Sequence, residues 1–566
     1  MSMKLIQSIY SVAIVAAIGA ASLTAGKKAP AQAQFISFVY TGNDDYYNAN
    51  PITRDGDFYN PIIPGWYSDP SVVRTGDDYY LVTSTFGYYP AVPLYHSRDL
   101  VNWRLVRNIL DRPGQLPGLV GQSLDRGGVY APQISYNPAN STYYMVTPDV
   151  GRQEGHFYVT ATDPEGEWSD PVWLKGIDGI DPSFFFDDDG CAYIVYKEDT
   201  TGKPKWSNYR CIRFIAFDTA TGQTTGESWQ LAEEGVGPEE RLDRDEGPHI
   251  YKVDGSYILL CAEGGTSTHH SAVVYRADSL RGPYRRWSRN PALTQRYLKD
   301  KRSNPVTCAG HADLVMTPEG EWWGVFLGCR PGPGGFQALG RETFLMPVKW
   351  SRDGFPYFTQ SQDTVPLILH RDGVVRDTAV CCSGNFTWRD DFSGERLRPE
   401  WIGLRGSTAD YCMLDGKCLH MQCCRELSTS KGVPAYIGRR IQHHKFEASA
   451  RMKFKPHNAG ESAGLLMLKN ESRQYYLAVC ADRVELRTLS PKEVKVLASA
   501  KMPCKAGREV ELRVVSDGIC YAFYVRPAEE SAEWTPVAEN VDASYLACER
   551  TGGFTGATIG LYAESR

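Results

Sequence analysis

The chain repeats one short pattern five times, and that repeat restricts the possible fold more than any other feature. The copies begin at Asp69 (DPSVVRTGDDYYLV), Ala131 (APQISYNPANSTYYMV), Asp181 (DPSFFFDDDGCAYIVY), Gly247 (GPHIYKVDGSYILL) and His311 (HADLVMTPEGEWWGVF). Each runs from a small or polar residue, usually followed by Pro, through an apolar pair and a turn into an aromatic-rich strand. The starts lie 62, 50, 66 and 64 residues apart. Repeats of about 40 to 50 residues built from four strands are the signature of propeller blades. The excess length predicts loops, where propellers usually carry function. Turn pairs such as Asp189-Gly190 and Asp254-Gly255, flanked by strand formers, fit short antiparallel hairpins. The expectation is an all-β chain whose residues 55–370 form a five-bladed β-propeller.

With 566 residues the chain is too long for one ordinary core, so a second domain is expected. A linker is read at Arg371 to Thr387, after which the pattern changes. Phe446, Ala448, Ala450, Met452 and Phe454 alternate with polar residues, as do Val510, Leu512 and Val514. Such period-two alternation belongs to strands with one buried face, so 388–566 reads as a β-sandwich. At the other end, a single Lys4 precedes an apolar, small-residue stretch from Ile9 to Ala25. This resembles an export signal over 1–33, with Ala31-Gln32-Ala33 or a point within Ala20 to Ala25 as the cleavage site. A secreted or periplasmic protein, free of the membrane after cleavage, is expected. The residues that follow, to about Thr53, read as an irregular lead-in.

Composition narrows the partners. The formal net charge is -6, and no Lys/Arg run provides the basic footprint that nucleic acid needs. The 15 Cys all lie at or beyond Cys191 and include no CxxC pair, so zinc-ligand spacing of that kind is missing. Mostly unpaired, buried thiols are expected; oligomeric state is not set by the sequence.

Three acids share the repeat register. Asp69 and Asp181 open the first and third copies, and Glu246 stands one residue before the fourth. Equivalent positions of a cyclic repeat meet around one axis, so the three are expected to converge. Carboxylates held together cannot all ionise freely, and their pKa values separate. One then stays protonated while another stays ionised, the division of labour that glycosidic cleavage requires. Taken singly, Asp69-Pro70 and Asp181-Pro182 are also common turn openers, and the shared register is what favours a site.

These segments, in order, resemble glycoside hydrolase family 43 and within it the β-xylosidase and α-L-arabinofuranosidase group. The motifs are NPIIPGWYSDPSVV, TSTFGYYPAVPLYHSRDLVNW, GIDPSFFFDDDG, EGPHIYK, GHADLV and LGRETFLMPVKW. RDDFSG, YIGRRIQHHKF and SAGLLML resemble the concanavalin-like sandwich attached to such enzymes. The resemblance implies Asp69 as general base, Glu246 as general acid and Asp181 as the carboxylate that sets the acid's pKa. It implies inversion in one displacement, with acid and base about 6.5–9.5 Å apart. It also implies Phe86, Tyr130, His311 and Arg341 as substrate-binding residues, with His311 near a central calcium through water. No cofactor is required, and calcium is the one ion the resemblance offers. The implied substrate is a xylo- or arabino-oligosaccharide, cleaved at a terminal β-D-xylose or α-L-arabinofuranose. The alternatives are an endo-arabinanase or endo-xylanase, or a non-catalytic glycan-binding propeller. Tyr130 stands where many xylosidases carry Trp, and the segment around Lys197 is closer to arabinose-releasing members.

Overall fold

The computed structural model describes residues 29–151, 155–198, 211–232, 245–299, 302–380 and 382–566. Within them the five repeats form five antiparallel sheets. The first comprises Ser71–Thr75, Asp78–Val82, Ala91–Ser97 and Arg104–Leu110. The innermost strands of the second to fifth are Gln133–Asn137, Ile180–Phe186, Glu246–Val253 and Thr307–Met316. The fifth sheet has three strands of its own, and the segment ahead of the first blade adds to its edge. Ile63 bridges Thr343, and the Asn60 side chain bonds both the N–H and the carbonyl of Leu345.

Period two explains how the sheets stack. In the first blade Tyr80 and Val82 pack with Ile134 and Met145 of the second. Their alternates Tyr79 and Leu81 pack the other way, with Val315, Val325 and Leu345 of the fifth. The remaining interfaces are built alike: Tyr144 and Val146 on Phe184 and Ile194, Phe185 and Val195 on Ile250 and Leu259, Leu260 and Val274 on Leu314 and Phe326. Five interfaces between five blades close the ring. Because both faces of each blade are covered, its central strands read as continuous apolar runs.

The third residue of every repeat is polar, and these residues make a belt around the axis. Asp313 accepts from the Ser71 hydroxyl (2.7 Å) and the Val72 N–H (2.9 Å). Ser71 Oγ accepts from Ile134 N–H, Gln133 Oε1 accepts from Phe184 N–H, and Ser183 donates to the Pro248 carbonyl. His249 then faces Asp313 at 3.7 Å, which returns the belt to its start. Buried polar groups at the blade entries are thereby satisfied, and their register is fixed.

The sandwich consists of an eight-stranded and a six-stranded sheet around one apolar core. The alternating strands behave as expected: Phe446, Ala448, Ala450 and Met452 face inward, as do Val510, Leu512 and Val514. The lead-in requires correction. Gln32–Gly42 is not irregular but a strand of the larger sheet, paired with Lys445–Lys453 and with Leu419–Gln422. Ala31 and Ala33 are fully buried in the sandwich core, so a boundary at 33 falls inside this element. The expected export signal otherwise lies on residues 1–28, outside the described residues. Among the described residues no helix is long and apolar enough to cross a membrane.

The two domains share a packed interface. Trp66, Phe86, Tyr88 and Leu124 of the propeller join Leu404, Tyr436, Leu466 and Tyr562 of the sandwich in one cluster. The Arg440 guanidinium lies 4.1 Å from the Trp66 ring and 4.2 Å from that of Tyr67. This contact positions sandwich loops over one end of the propeller axis.

Candidate active site

The first residue of four repeats has left-handed backbone geometry: Asp69 (φ 55°), Asp181 (φ 55°), Gly247 (φ 56°) and His311 (φ 50°). Non-glycine residues rarely adopt this region, and such strain clusters at functional sites. The twist turns the side chain out of the strand's alternation, so Asp69, Asp181 and His311 gather at the axis. In the fourth blade a side chain at the equivalent position has no room. A Cβ on Gly247 would lie 2.7 Å from His311 Nε2. The acid is supplied from one residue earlier, and the ladder shifts register between Glu246 and His249. That bulge is why Glu246 can precede the register yet face the same site, since an extra residue restores the side chain's direction. The third blade carries a similar shift between Ile180 and Ser183.

Asp69 is buried and heavily solvated by protein. Its Oδ2 accepts from Ser84 Oγ (2.6 Å), Ser68 Oγ (3.0 Å) and, at 3.4 Å, Arg341 Nη2. Its Oδ1 accepts Arg341 Nη1 at 3.0 Å and faces His311 Nδ1 at 3.6 Å. Burial alone would raise the Asp69 pKa, but Arg341, His311 and the two hydroxyls outweigh it and hold the carboxyl below its ordinary range. Oδ1, with the lighter load, keeps a lone pair available to a water.

Glu246 is the opposite case. Burial, and then the neighbouring Asp181 carboxylate, push its pKa up to about 7 against the pull of His311 and Lys197. Burial and Asp69 also raise Asp181, while Lys197 and the Gly247 N–H lower it. That N–H donates to Asp181 Oδ2 at 3.0 Å, which favours the ionised form of Asp181. Both acids are raised to about 7 and titrate as an interacting pair. Glu246 is partly buried where Asp181 is buried.

Aromatic rings wall the site. Phe86 is buried and meets Tyr130 edge-on at 5.3 Å between centroids. Both also meet a ring that sequence reasoning missed, Phe554 of the sandwich, at 5.8 and 5.6 Å. The Arg341 guanidinium sits 5.3 Å from Phe554 and 5.9 Å from Phe86. Phe554 is carried on the loop Gly552-Gly553, both with positive φ, where a Cβ would strike Arg126 or Asp125. Its N–H donates to the Asp125 carbonyl of the propeller at 3.0 Å. The glycine pair in TGGFTG was the one local signal for this loop. Lys197 is buried beside Asp181 and Glu246 and acts on both charges.

A central calcium fits this axis poorly. The space lined by Asp69, Asp181, Gly247 and His311 amounts to about 10 Å³, the size of a single water. Calcium needs six to eight oxygens, and the Asp313 oxygens near the axis are taken by Ser71, Val72 and Tyr251.

Known proteins resemble this chain in sequence and fold. Residues 58–356 match the model for glycosyl hydrolases family 43, and residues 389–566 match the beta xylosidase C-terminal concanavalin A-like domain. The chain is 36% identical to a non-reducing end alpha-L-arabinofuranosidase of Bacteroides ovatus, over 91% of this chain and 93% of that protein. It is 35% identical to a xylosidase/arabinosidase of Butyrivibrio fibrisolvens, over 89% and 95% respectively. Among solved structures, a GH43_12 retrieved from capybara gut metagenome superposes with a TM-score of 0.86 at 36% identity, covering 95% of this chain and all of that one. The xylan beta-1,4-xylosidase from Bacillus halodurans superposes with a TM-score of 0.78 at 30% identity, covering 90% and 97%. A family model matched over residues 58–356, a second over the sandwich, and relatives 35–36% identical along nearly their whole length make this chain a glycosidase belonging to glycosyl hydrolase family 43.

Proposed function

We propose that the chain is an exo-acting, inverting glycosidase that removes a terminal β-D-xylose or α-L-arabinofuranose from hemicellulose oligosaccharides or side chains. The observation that carries this reading is the divergence of two carboxyl groups at one axis, Asp69 held low and Glu246 pushed up. Asp69 Oδ1 takes a proton from water as that water attacks the anomeric carbon. Glu246 gives its proton to the departing glycosidic oxygen. Asp181 raises the acid's pKa and, through its bond to Gly247 N–H, holds the bulge that aims Glu246. Arg341 keeps Asp69 ionised and oriented, and His311 supports it from the axis. Tyr130 and Phe554 offer apolar faces to a sugar ring, with the buried Phe86 packed behind them and Phe554 contributed by the other domain.

A pocket closed partly by a second domain favours release of one sugar at a time over cleavage within a chain. Digests of linear xylo- and arabino-oligosaccharides should yield monosaccharide alone from the earliest times. Mixed shorter oligomers as initial products would instead establish an open, endo-acting groove. The relatives named for both sugars leave xylose and arabinofuranose as parallel candidates, and matched nitrophenyl glycosides rank them. Export to the periplasm or beyond is part of the same proposal, resting on Lys4 and the apolar stretch that follows it.

The pH dependence follows from the two shifts. Glu246 works protonated, so activity falls as pH rises through its pKa of about 7. Asp69 works ionised, and its lowered pKa places the acid limb below the ordinary carboxylate range. In Asp181→Asn the neighbouring negative charge is lost, and the alkaline limb of kcat/KM should move down by about one pH unit. An unmoved limb would remove Asp181 from the role of raising Glu246.

A further inference from the structure

A second cluster of chemistry-bearing side chains lies in the sandwich, in the hairpin formed by Cys412–Leu414 and Leu419–Gln422. Asp415, Cys418 and His420 place one ligand atom each within 4.8 Å of one another. Cys418 Sγ is 3.4 Å from His420 Nε2 and 3.8 Å from Asp415 Oδ2, and Asp415 Oδ2 is 2.9 Å from His420 Nε2. A tetrahedral zinc with bonds of about 2.0 Å to N and O and 2.3 Å to S requires ligand separations of about 3.3–3.5 Å. The three edges bracket those values, and only the N···O edge must open.

The surroundings already orient each ligand. Asp415 Oδ1 accepts the N–H groups of Lys417 and Cys418, both at 2.9 Å, which leaves Oδ2 for the cluster. His420 Nδ1 lies 3.0 Å from Gln32 Oε1 on the adjacent strand Gln32–Gly42. A hydrogen on Nδ1 satisfies that oxygen and puts the imidazole lone pair on Nε2. This is the arrangement by which metal-ligating histidines have their tautomer fixed. A lone pair directed at a carboxylate oxygen 2.9 Å away needs a cation between them, either a proton or a metal. Cys418 is mostly buried, while Asp415 is exposed and His420 partly so, leaving the ion a route in.

We propose that Asp415, Cys418 and His420 form a binding site for a zinc-class divalent transition metal, completed by water, that clamps this hairpin to the strand carrying Gln32. The mixed N, S and O donor set suits zinc or cobalt and not calcium or magnesium, which take oxygen ligands. On binding, the metal displaces the proton held at Nε2 and the thiol proton of Cys418, both of which pass to solvent. The pattern D-x₂-C-x-H lacks the paired-cysteine spacing of common zinc motifs, so a search for CxxC passes over it. The role is structural, because none of its ligands belongs to the glycosidase site.

Cobalt titration of the full-length, chelator-stripped protein tests this. One equivalent of Co²⁺ should produce a thiolate-to-cobalt charge-transfer band and visible bands of tetrahedral intensity, both abolished by Zn²⁺. Cys418→Ser should lose the charge-transfer band while hydrolysing a nitrophenyl glycoside at the wild-type rate, which shows that the variant is folded. His420→Asn keeps the thiol and should weaken cobalt binding at least tenfold; Gln32→Leu should weaken it by about tenfold. Zn²⁺ should raise the Tm of the wild type and leave that of Cys418→Ser unchanged. Absence of the band in the wild type, or its persistence in Cys418→Ser, would overturn the proposal.

Discussion

Asp69→Asn should reduce turnover by about 10⁴-fold on every substrate, whatever its leaving group. The substitution preserves size and leaves an oxygen for Ser84 and Ser68, but it removes the charge that accepts water's proton. Because the water attacks in the same displacement that breaks the bond, a better leaving group cannot bypass the loss. Stability should fall as well. Arg341 is 8% exposed and pairs with Asp69 at 3.0 Å, so the variant leaves a buried guanidinium without its counter-ion. Breaking a buried pair from one side costs about 3 kcal/mol or more; here the Phe554 and Phe86 rings retain part of the contact. Calorimetry should show the lowered Tm, and the kinetics should show similar losses on nitrophenyl and natural glycosides. Activity within tenfold of wild type would exclude Asp69 as the base.

Glu246→Gln should separate substrates that Asp69→Asn does not. Natural glycosides depart as poor leaving groups and need the proton, so their turnover should drop by about 10³-fold. Dinitrophenyl glycosides leave without one, and their turnover should change by less than about tenfold. The alkaline limb near pH 7 should vanish with the group that causes it. Gln is isosteric and uncharged, and Glu246 spends its working state protonated, so the fold should tolerate the change. Equal losses on both substrate classes would assign Glu246 to something other than proton donation.

Much of this architecture could be read from the chain, for reasons that particular residues make plain. Position one of four of the five repeats is confined by left-handed geometry and by the axis, so Asp69, Asp181 and His311 fall in register. The same geometry explains the one apparent misfit, since Gly247 is forced by His311 and Glu246 follows from Gly247. Other features left weaker traces. Gln32–Gly42 escaped notice because a register shift between Phe35 and Ser37 breaks its alternation: Ala33 and Phe35 face inward on one phase, Phe38 and Tyr40 on the other. Phe554 joins Phe86 only through the packing of two domains far apart in sequence, and no local pattern encodes such a contact. Lys197 stands in a strand among apolar neighbours, and its value depends on Asp181 and Glu246 lying beside it.

The stereochemistry of the first product tests the central claim most directly. Proton NMR of the anomeric signals during early hydrolysis of an aryl β-D-xylopyranoside or α-L-arabinofuranoside distinguishes the two possible outcomes. Water activated by Asp69 on the face opposite the leaving group, with Glu246 donating the proton, gives the inverted anomer first, and mutarotation then brings in the other. Initial appearance of the retained anomer would require a covalent intermediate and would contradict the roles assigned to both carboxyl groups.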